Sequence, residues 1–442
     1  MRRVLLISPH FPPDSSAASH RVRLLAPHLP EWGWAPTVLT VVPEAYEGEL
    51  DPDLLALVPP DLLVLRTGAW PASTTRRFGI GDLGLRAMTA LSREAHRQLS
   101  TGRFDLVFVT TYPVYPALLG PGLRRRYRVP FVLDLQDPWV GAWGRDVGGG
   151  PGGRPDWRSR VSRLAARWME RRVVRAADGL TAVSERTYVD VLTRVPDAAP
   201  VVCAELPLGF EVADLDFLIR HPRAVRLFDP SDGNTHLVCV GTVLPTGLDV
   251  VRALLAGVAR LRSGRPEVAN RLRLHFVGSS NQRLPGQRPR VTPLAEQFGV
   301  GDLVHEVPER VDYLEALNLQ LQAGGLLLLG SREPHYTPSK AYPAYLSGRP
   351  ILGLYHRESS VVSFLRNCPS ADLITFPDQV DPDALAAPVA AALETLARRA
   401  VSPGPGLRMV DAGAEWSSRA IARRLAQVFT TVSGAFGSGG RE

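Results

Sequence analysis

Lysine is nearly missing from this chain. Of its 51 lysines and arginines only Lys340 is lysine, and arginine fills every other basic position. An ammonium is a compact point charge where a guanidinium is a planar fork. A lone lysine is therefore either a solvated surface residue or a position that wants the point charge. Cysteine is scarce as well. Cys203, Cys239 and Cys368 are odd in number and far apart, which leaves no disulfide framework or thiolate metal cluster and fits a reducing cytoplasm. The histidines are scattered, so no metal is expected. No run approaches the ~20 apolar residues of a membrane span. Met1-Arg2-Arg3 leads directly into an apolar strand, so no signal peptide is expected. No Gly-x-Gly-x-x-Gly turn follows that strand, which disfavours a nicotinamide dinucleotide.

What is present is a soluble, globular composition of 442 residues, 45% hydrophobic and 21% charged. That length exceeds one ordinary core and predicts two domains of about 200 residues each. A net charge of +7 draws something anionic: a nucleotide-sugar, a lipid diphosphate or a membrane surface. Nucleic acid is not expected, because the arginines form no recognisable module.

The first half alternates strands and helices. Val4 to Ile7 reads as a buried strand ending in the rigid loop Ser8-Pro9-His10-Phe11-Pro12-Pro13. Ser15-Ser16-Ala17-Ala18 opens a helix, and Val38 to Val42 is the next strand. Further strands are predicted over Leu62–Arg66, Leu106–Thr110 and Phe131–Leu135, with a helix from about Leu85 to Leu99. Ligands of doubly wound sheets collect at strand carboxyl ends, which makes Asp134 and Asp137 candidates. Asp137 otherwise caps the turn before Pro138. Gly148 to Gly153 predicts a mobile loop. From Trp157 to Arg175 arginines alternate with Trp157, Leu164, Trp168 and Val174 at helical spacing. Such a helix either packs its apolar stripe on a sheet and solvates its arginines, or rests on an anionic membrane. The strand at Leu180 to Val183 and the segment Val201–Leu206 close this half. The domain boundary is expected in the charged, proline-containing stretch before Gly233.

The second half repeats the alternation. Leu237–Val240 enters Gly241-Thr242-Val243-Leu244-Pro245-Thr246-Gly247, followed by a helix over Leu248–Leu261. Leu272–Val277 ends at Gly278-Ser279-Ser280, and Leu326–Leu329 ends in the turn Gly330-Ser331-Arg332. Thr337-Pro338-Ser339 reads as a helix start, because Thr accepts from first-turn amides and Pro at the first position loses no bond. Ser339 and Lys340 then lie at the positive end of that helix, which favours phosphate. Asp51 and Asp381 read as loop and helix starts. A helix is expected from about Ala412 to Thr431, with a Gly- and Ser-rich end after it.

Thr337-Pro338-Ser339-Lys340, an aromatic-rich helix and Gly348-Arg349-Pro350 resemble the donor-site helix of GT-B glycosyltransferases of the family-4 type. The Phe-Pro-Pro loop, the segment from Asp134 to Trp139, Val183-Ser184-Glu185 and the Gly241 loop are similar to other parts of that family, so the resemblance covers most of the chain. It implies an α/β fold, GT-B, with two Rossmann-like doubly wound domains facing a cleft. An acceptor-side domain would span 1–207 and a nucleotide-sugar-binding domain 208–410. Residues 411–432 would form a helix packing back on the first domain, and 433–442 a disordered tail. The implied activity is retaining transfer of a sugar from a nucleotide-diphosphate sugar to a glycan, lipid-linked or small-molecule acceptor, with neither cofactor nor metal. Lys340 and Asp137 are the catalytic candidates. Gly241, Thr242, Gly278, Ser279, Arg332, His335, Thr337 and Ser339 would join Lys340 around the donor, and Pro13, Ser15, Ser16, Asp134 and Trp139 would face the acceptor. The enzyme would be cytoplasmic, with peripheral contact to an anionic membrane through 157–175.

Two departures qualify the resemblance. The usual basic residues around the Gly241 loop are absent. The paired glutamates that the family uses for donor sugar and ribose fall on His335 and Pro343, with Glu333 close by. A binding protein without turnover, a sugar-nucleotide epimerase and a pseudo-glycosyltransferase using a cyclitol donor therefore stay open.

Overall fold

A computed structural model describes residues 1–48, 50–136, 140, 157–282, 286, 288–334, 340–400 and 415–439. They divide into two compact units, Met1–Leu208 with Glu415–Glu442, and Gly209–Ala414.

In the first unit the apolar runs become strands β1 (Arg2–Ile7), β2 (Trp34–Val41), β3 (Leu63–Thr67), β4 (Leu106–Thr110), β5 (Phe131–Leu135), β6 (Gly179–Ala182) and β7 (Val202–Glu205). All are parallel, in the order β3-β2-β1-β4-β5-β6-β7. A parallel sheet covered on both faces needs apolar residues at every position, which is why these strands read as unbroken runs. Alternation sends Leu5 and Ile7 to one core and Val4 and Leu6 to the other. Helices Leu83–Thr101, Leu119–Tyr127, Trp157–Val174 and Glu185–Arg194 contribute to the first core. Asp82 caps the first of them by accepting from the Leu85 amide at 3.0 Å.

Helix Ser19–Leu25 and the terminal helix Ser418–Gly439 contribute to the second core. Phe429 meets Trp34 and Phe108 edge-on, with ring centroids 5.3 and 5.6 Å apart. This helix lies later in the chain than Ala412–Thr431. Residues 433–439, expected as a disordered tail, are its last turns. Tertiary contacts extend it: Val432 is fully buried and Arg124 stacks over the Phe436 ring.

The second unit carries β8 (Thr235–Val240), β9 (Leu272–Gln282), β10 (Val304–Glu309), β11 (Gly325–Leu329), β12 (Ile351–His356) and β13 (Ala371–Phe376). They too are parallel, in the order β10-β9-β8-β11-β12-β13. Each sheet therefore reverses its order at its first strand, between β1 and β4 and between β8 and β11, and such a switch point opens a crevice at the strand carboxyl ends. Among the described residues no helix is long and apolar enough to cross a membrane.

One histidine cluster in this unit carries a pH prediction. Buried His236 and His275 and the exposed His305 stand on adjacent strands, with His305 in register with His275. His236 Nδ1 lies 2.9 Å from His275 Nε2 and its Nε2 lies 3.0 Å from Asp232, while Phe228 stacks on the His236 ring at 4.3 Å. His275 Nδ1 is buried without a hydrogen-bond partner among the described residues. Burial, and then the neighbouring His236, His305 and Arg273, hold the His275 imidazole down to about 3 against the opposing pull of Asp232. The folded value thus lies below the unfolded one near 6.5. The stability from keeping His275 neutral is complete above pH 6.5 and is lost as pH falls toward 3, at about 1.4 kcal/mol per pH unit. Urea unfolding measured between pH 7 and 5 should show this slope, and His275→Leu should reduce it by about one proton. An unaltered slope would assign the acid sensitivity elsewhere.

Candidate functional site

At the switch point of the second sheet, β8 runs into Gly241, whose φ of +108° disfavours any side chain. A Cβ at that position would also meet Lys340 Cδ at 3.1 Å and Nζ at 3.3 Å. The lysine stem therefore lies along bare backbone at the carboxyl end of β8. The loop is sewn to β9 by the Gly241 amide donating to Val277 at 2.7 Å and the Val243 amide to Ser279 at 2.9 Å. Across the switch point β11 ends at Gly330, where a Cβ would meet the Tyr355 ring at 2.7 Å. A small cavity between these ends is lined by Thr242, Leu244, Gly247, Gly330 and Lys340 over Cys239. Gly247 is also the N-cap of helix Leu248–Gly264, so the amide end of a long helix faces the same cavity as the ammonium. Both favour an anion.

Lys340 is half-buried and has no carboxylate partner among the described residues. Arg332 does not join it. Its guanidinium is half exposed and lies 3.5 Å from Asp249, which Arg252 also holds at 2.7 Å. Asp249 stands in the first turn of helix Leu248–Gly264, so these arginines offset the one charge there that would repel a phosphate. Burial pushes the Cys239 thiol up while Lys340 pulls it the other way.

Ser279 requires a correction. It is fully buried, and its hydroxyl donates to Glu306. Glu306 also accepts from the amides of Arg290, Val291 and Thr292 at 2.8 to 2.9 Å. Burial raises that carboxyl, but these bonds outweigh it and hold the group below its ordinary value. Ser279 is thus a brace between β9 and β10, and no local pattern announced Glu306 as its partner. Gly278, with φ +77°, approaches the Gly241 Cα and supplies the turn before that brace. The described helix after Lys340 is Ala341–Leu346, with Lys340 at its N-cap; the start expected at Thr337 lies outside the described residues. Tyr342 and Tyr345 of this helix pack on Phe364. His335, Thr337, Ser339, Asp137, Trp139 and the segment 148–153 lie outside the described residues.

The first unit brings a second cluster together at its own switch point. The loop after β1 folds back so that His10 Nδ1 lies 2.7 Å from Asp14 Oδ2. The same oxygen accepts from Ser19 at 2.6 Å and from Ser16. Burial raises the Asp14 carboxyl, but the His10 bond and charge and the two hydroxyls bring it down to about 2. An ionised Asp14 fixes the proton of His10 on Nδ1 and leaves Nε2 as the acceptor. Nε2 has no hydrogen-bond partner among the described residues. The ring is flanked by Tyr46 at 5.8 Å and by the exposed Tyr112 at 5.5 Å. Burial pushes the Tyr46 phenol up to about 12; its hydroxyl accepts from the Phe11 amide and keeps the loop closed. Pro13, Ser15 and Ser16 all belong to this loop. His10 and Asp14 were not singled out from the sequence, although two titratable residues four apart just after a strand are a usable signal.

Asp134, at the end of β5, is not open to an acceptor. It is fully buried. Arg21 reaches its two oxygens at 2.9 and 2.6 Å, and Thr181 donates to it at 2.6 Å. Arg21 also donates to the Leu206 carbonyl at 2.6 Å. Asp134 is a strut that ties the helix after β1 to β5, β6 and the end of β7.

Helix Trp157–Val174 divides its residues between two roles. Val173 and Val174 are in the core, and buried Glu170 pairs with Arg194 at 2.7 Å. Leu164 and Trp168 instead stand 66% and 63% exposed; Trp168 lies beside Arg171, Arg172 and Arg175, of which Arg172 stacks over its ring while Arg171 and Arg175 pair with Asp197.

Residues 16–206 match the family model described as a glycosyl transferase 4-like domain. No curated protein matches the chain by sequence. Among solved structures it is similar to the catalytic domain of starch synthase IV from Arabidopsis thaliana bound to ADP and acarbose, at 10% identity over 98% of this chain and 99% of that one, TM-score 0.60. It is similar to WaaG, a glycosyltransferase involved in lipopolysaccharide biosynthesis, at 15% identity over 97% and 99%, TM-score 0.55. HepE from Anabaena in complex with UDP-glucose matches at 14% identity over 99% of each chain, TM-score 0.54. Residues 16–206 thus match a glycosyl transferase 4-like domain, and the chain over its length shares the GT-B fold of these structures.

Proposed function

We propose that this protein is a glycosyltransferase that moves a sugar from a nucleotide-diphosphate sugar to an acceptor hydroxyl with retention at the anomeric carbon. The observation that carries the donor assignment is Lys340, stretched along Gly241 without a carboxylate partner among the described residues, beside the amide end of helix Leu248–Gly264. As the bond from the anomeric carbon to the diphosphate breaks, negative charge grows on the leaving oxygen. A preplaced ammonium and oriented amides stabilise that charge without reorganising. On the retaining course the acceptor oxygen bonds to the anomeric carbon and its proton passes to the departing phosphate, so the transfer balances without a metal or further cofactor. The ADP and UDP-glucose held by two of the similar structures support a nucleoside diphosphate as the handle.

A further hydroxyl of the acceptor, other than the one that receives the sugar, is assigned to His10 Nε2, which the Asp14 carboxylate keeps as a hydrogen-bond acceptor. Helix Trp157–Val174, with Leu164 and Trp168 outward among arginines, suits an anionic membrane and hence a lipid-linked acceptor.

A panel of UDP-, GDP- and ADP-sugars tests this reading by thermal shift followed by product detection. One donor at a hundredfold excess over its Kd should stabilise the protein by about 2.7 kcal/mol and yield a retained product. His10→Ala should leave the donor shift intact and raise the acceptor KM about tenfold, the loss of one hydrogen bond to a charged or polarised group. No shift with any of the panel would sink the donor assignment. An unchanged acceptor KM would sink the one for His10.

A further inference from the structure

A second exposed apolar patch in the first unit has no role in the site above. It lies between β3 and helix Leu83–Thr101, in Trp70-Pro71-Ala72-Ser73-Thr74-Thr75-Arg76-Arg77-Phe78-Gly79-Ile80, a stretch without one acidic residue. Phe78 stands 79% exposed, Trp70 60% and Ile80 37%. These side chains are not loose ends of an untethered loop. The Trp70 amide donates to Arg86 at 3.1 Å, and Arg86 donates back to the Trp70 carbonyl at 2.9 Å. The Gly79 amide closes the turn onto Arg76 at 2.9 Å and the Ile80 amide onto Thr75 at 3.1 Å. A hydrogen-bonded turn that holds a phenyl and an indole in water forgoes their burial, and an exposed patch of that kind marks an interaction surface.

The charge says which surface. Arg76 is tied to Glu47 at 2.7 Å, whereas exposed Arg77 has no acidic partner among the described residues. Aromatic rings flanked by unpaired arginine fit a boundary that is apolar inside and anionic at its face, where the rings settle at headgroup level and the guanidinium forks a phosphate. The location agrees. Ala69 and Leu83, on either side of the segment, and Val173 and Val174 of helix Trp157–Val174 pack into one core, on the same face of the first sheet. The two apolar-basic elements are thus anchored in the same core of the first unit.

We propose that residues 70–80 form a membrane anchor, inserting Phe78 and Trp70 into an anionic phospholipid surface as a second point of contact beside helix Trp157–Val174. The proposal rests on the membrane-facing reading of that helix and adds an element which the sequence did not single out. Two weak contacts anchored in one core multiply when both meet the same membrane, because the second binds as an intramolecular event.

The experiment is flotation of the full chain with vesicles of phosphatidylglycerol and phosphatidylethanolamine, against phosphatidylcholine alone, with no nucleotide-sugar present. The wild type should float with the anionic vesicles and not with the neutral ones, and less at high salt. Phe78→Ser should weaken partitioning about tenfold, as withdrawal of one large ring from the interface implies, and Arg77→Gln should weaken it and flatten the salt dependence. Both side chains are solvent-facing, so unchanged melting temperatures are expected. Three results would overturn the proposal: no anionic-vesicle binding by the wild type; Phe78→Ser floating as the wild type does while Trp168→Ser does not; or Phe78→Ser abolishing a concentration-dependent dimer instead of vesicle binding. Because no donor is present, failure here leaves the donor assignment standing, and failure of the donor panel leaves this result standing.

Discussion

Lys340→Ala should lower turnover by about 10²–10³-fold, the usual cost of removing one preplaced charge or donor from a developing anion, while the protein stays folded. The argument is one of substitution. Arg332 is drawn off by Asp249, the chain has no other lysine, and among the described residues the other polar groups lining that cavity are backbone amides and Thr242. Of the described arginines near it, Arg290 is held by the Val243 carbonyl, so neither it nor Arg332 replaces the ammonium. Lys340 is half-buried and makes no ion pair among the described residues, so its loss removes little folding energy. Lys340→Arg should rescue poorly, because the stem runs so close to Gly241 that even a Cβ there would lie 3.1 Å from it, and a planar fork does not reproduce a compact ammonium. Gly241→Ala is the converse test. Its methyl would push against the lysine stem and strain a φ of +108°, so turnover should fall without any charge being removed. Single-turnover product formation separates the step from donor binding. Turnover of the alanine variant within twofold of wild type would end the assignment of Lys340.

Asp134→Ala should destabilise the first unit by about 3–5 kcal/mol, the cost of leaving a buried guanidinium without its partner. Arg21 and Asp134 are both fully buried, and Thr181 and the Leu206 carbonyl depend on the same pair. Denaturant unfolding should show an earlier midpoint for the first unit with an unchanged transition for the second. The double variant Arg21→Met/Asp134→Leu should recover part of the loss, since an apolar pair carries no stranded charge. Recovery should be incomplete, because the carbonyls that Arg21 served would still be buried. An Asp134→Ala protein as stable as wild type would return Asp134 to the list of acceptor-facing candidates.

Much of the alternation was legible because parallel strands are unbroken apolar runs and their loops are local. The strand Leu106–Thr110 was read at its observed bounds, and the Gly241 turn was visible as glycine after a strand. Lys340 stood out by composition alone. The terminal helix was displaced from its expected place, because the residues that extend it, Val432 and Phe436, are stabilised by packing and by Arg124 rather than by helix propensity.

Sequence by itself determined two doubly wound sheets and a glycine turn after β8, since both follow from periodicity and from backbone sterics within a few residues. It also marked one lysine as unusual. Only the tertiary structure decided that this lysine lies against that glycine, that Asp134 belongs to Arg21, that Ser279 braces Glu306, and that His10 and Asp14 form a pair while Phe78 faces water. Those outcomes depend on which side chains meet across the sheet and on how much water remains around them. Neither quantity is written in any local stretch of the chain, because long-range contact and desolvation arise only once the layers have packed.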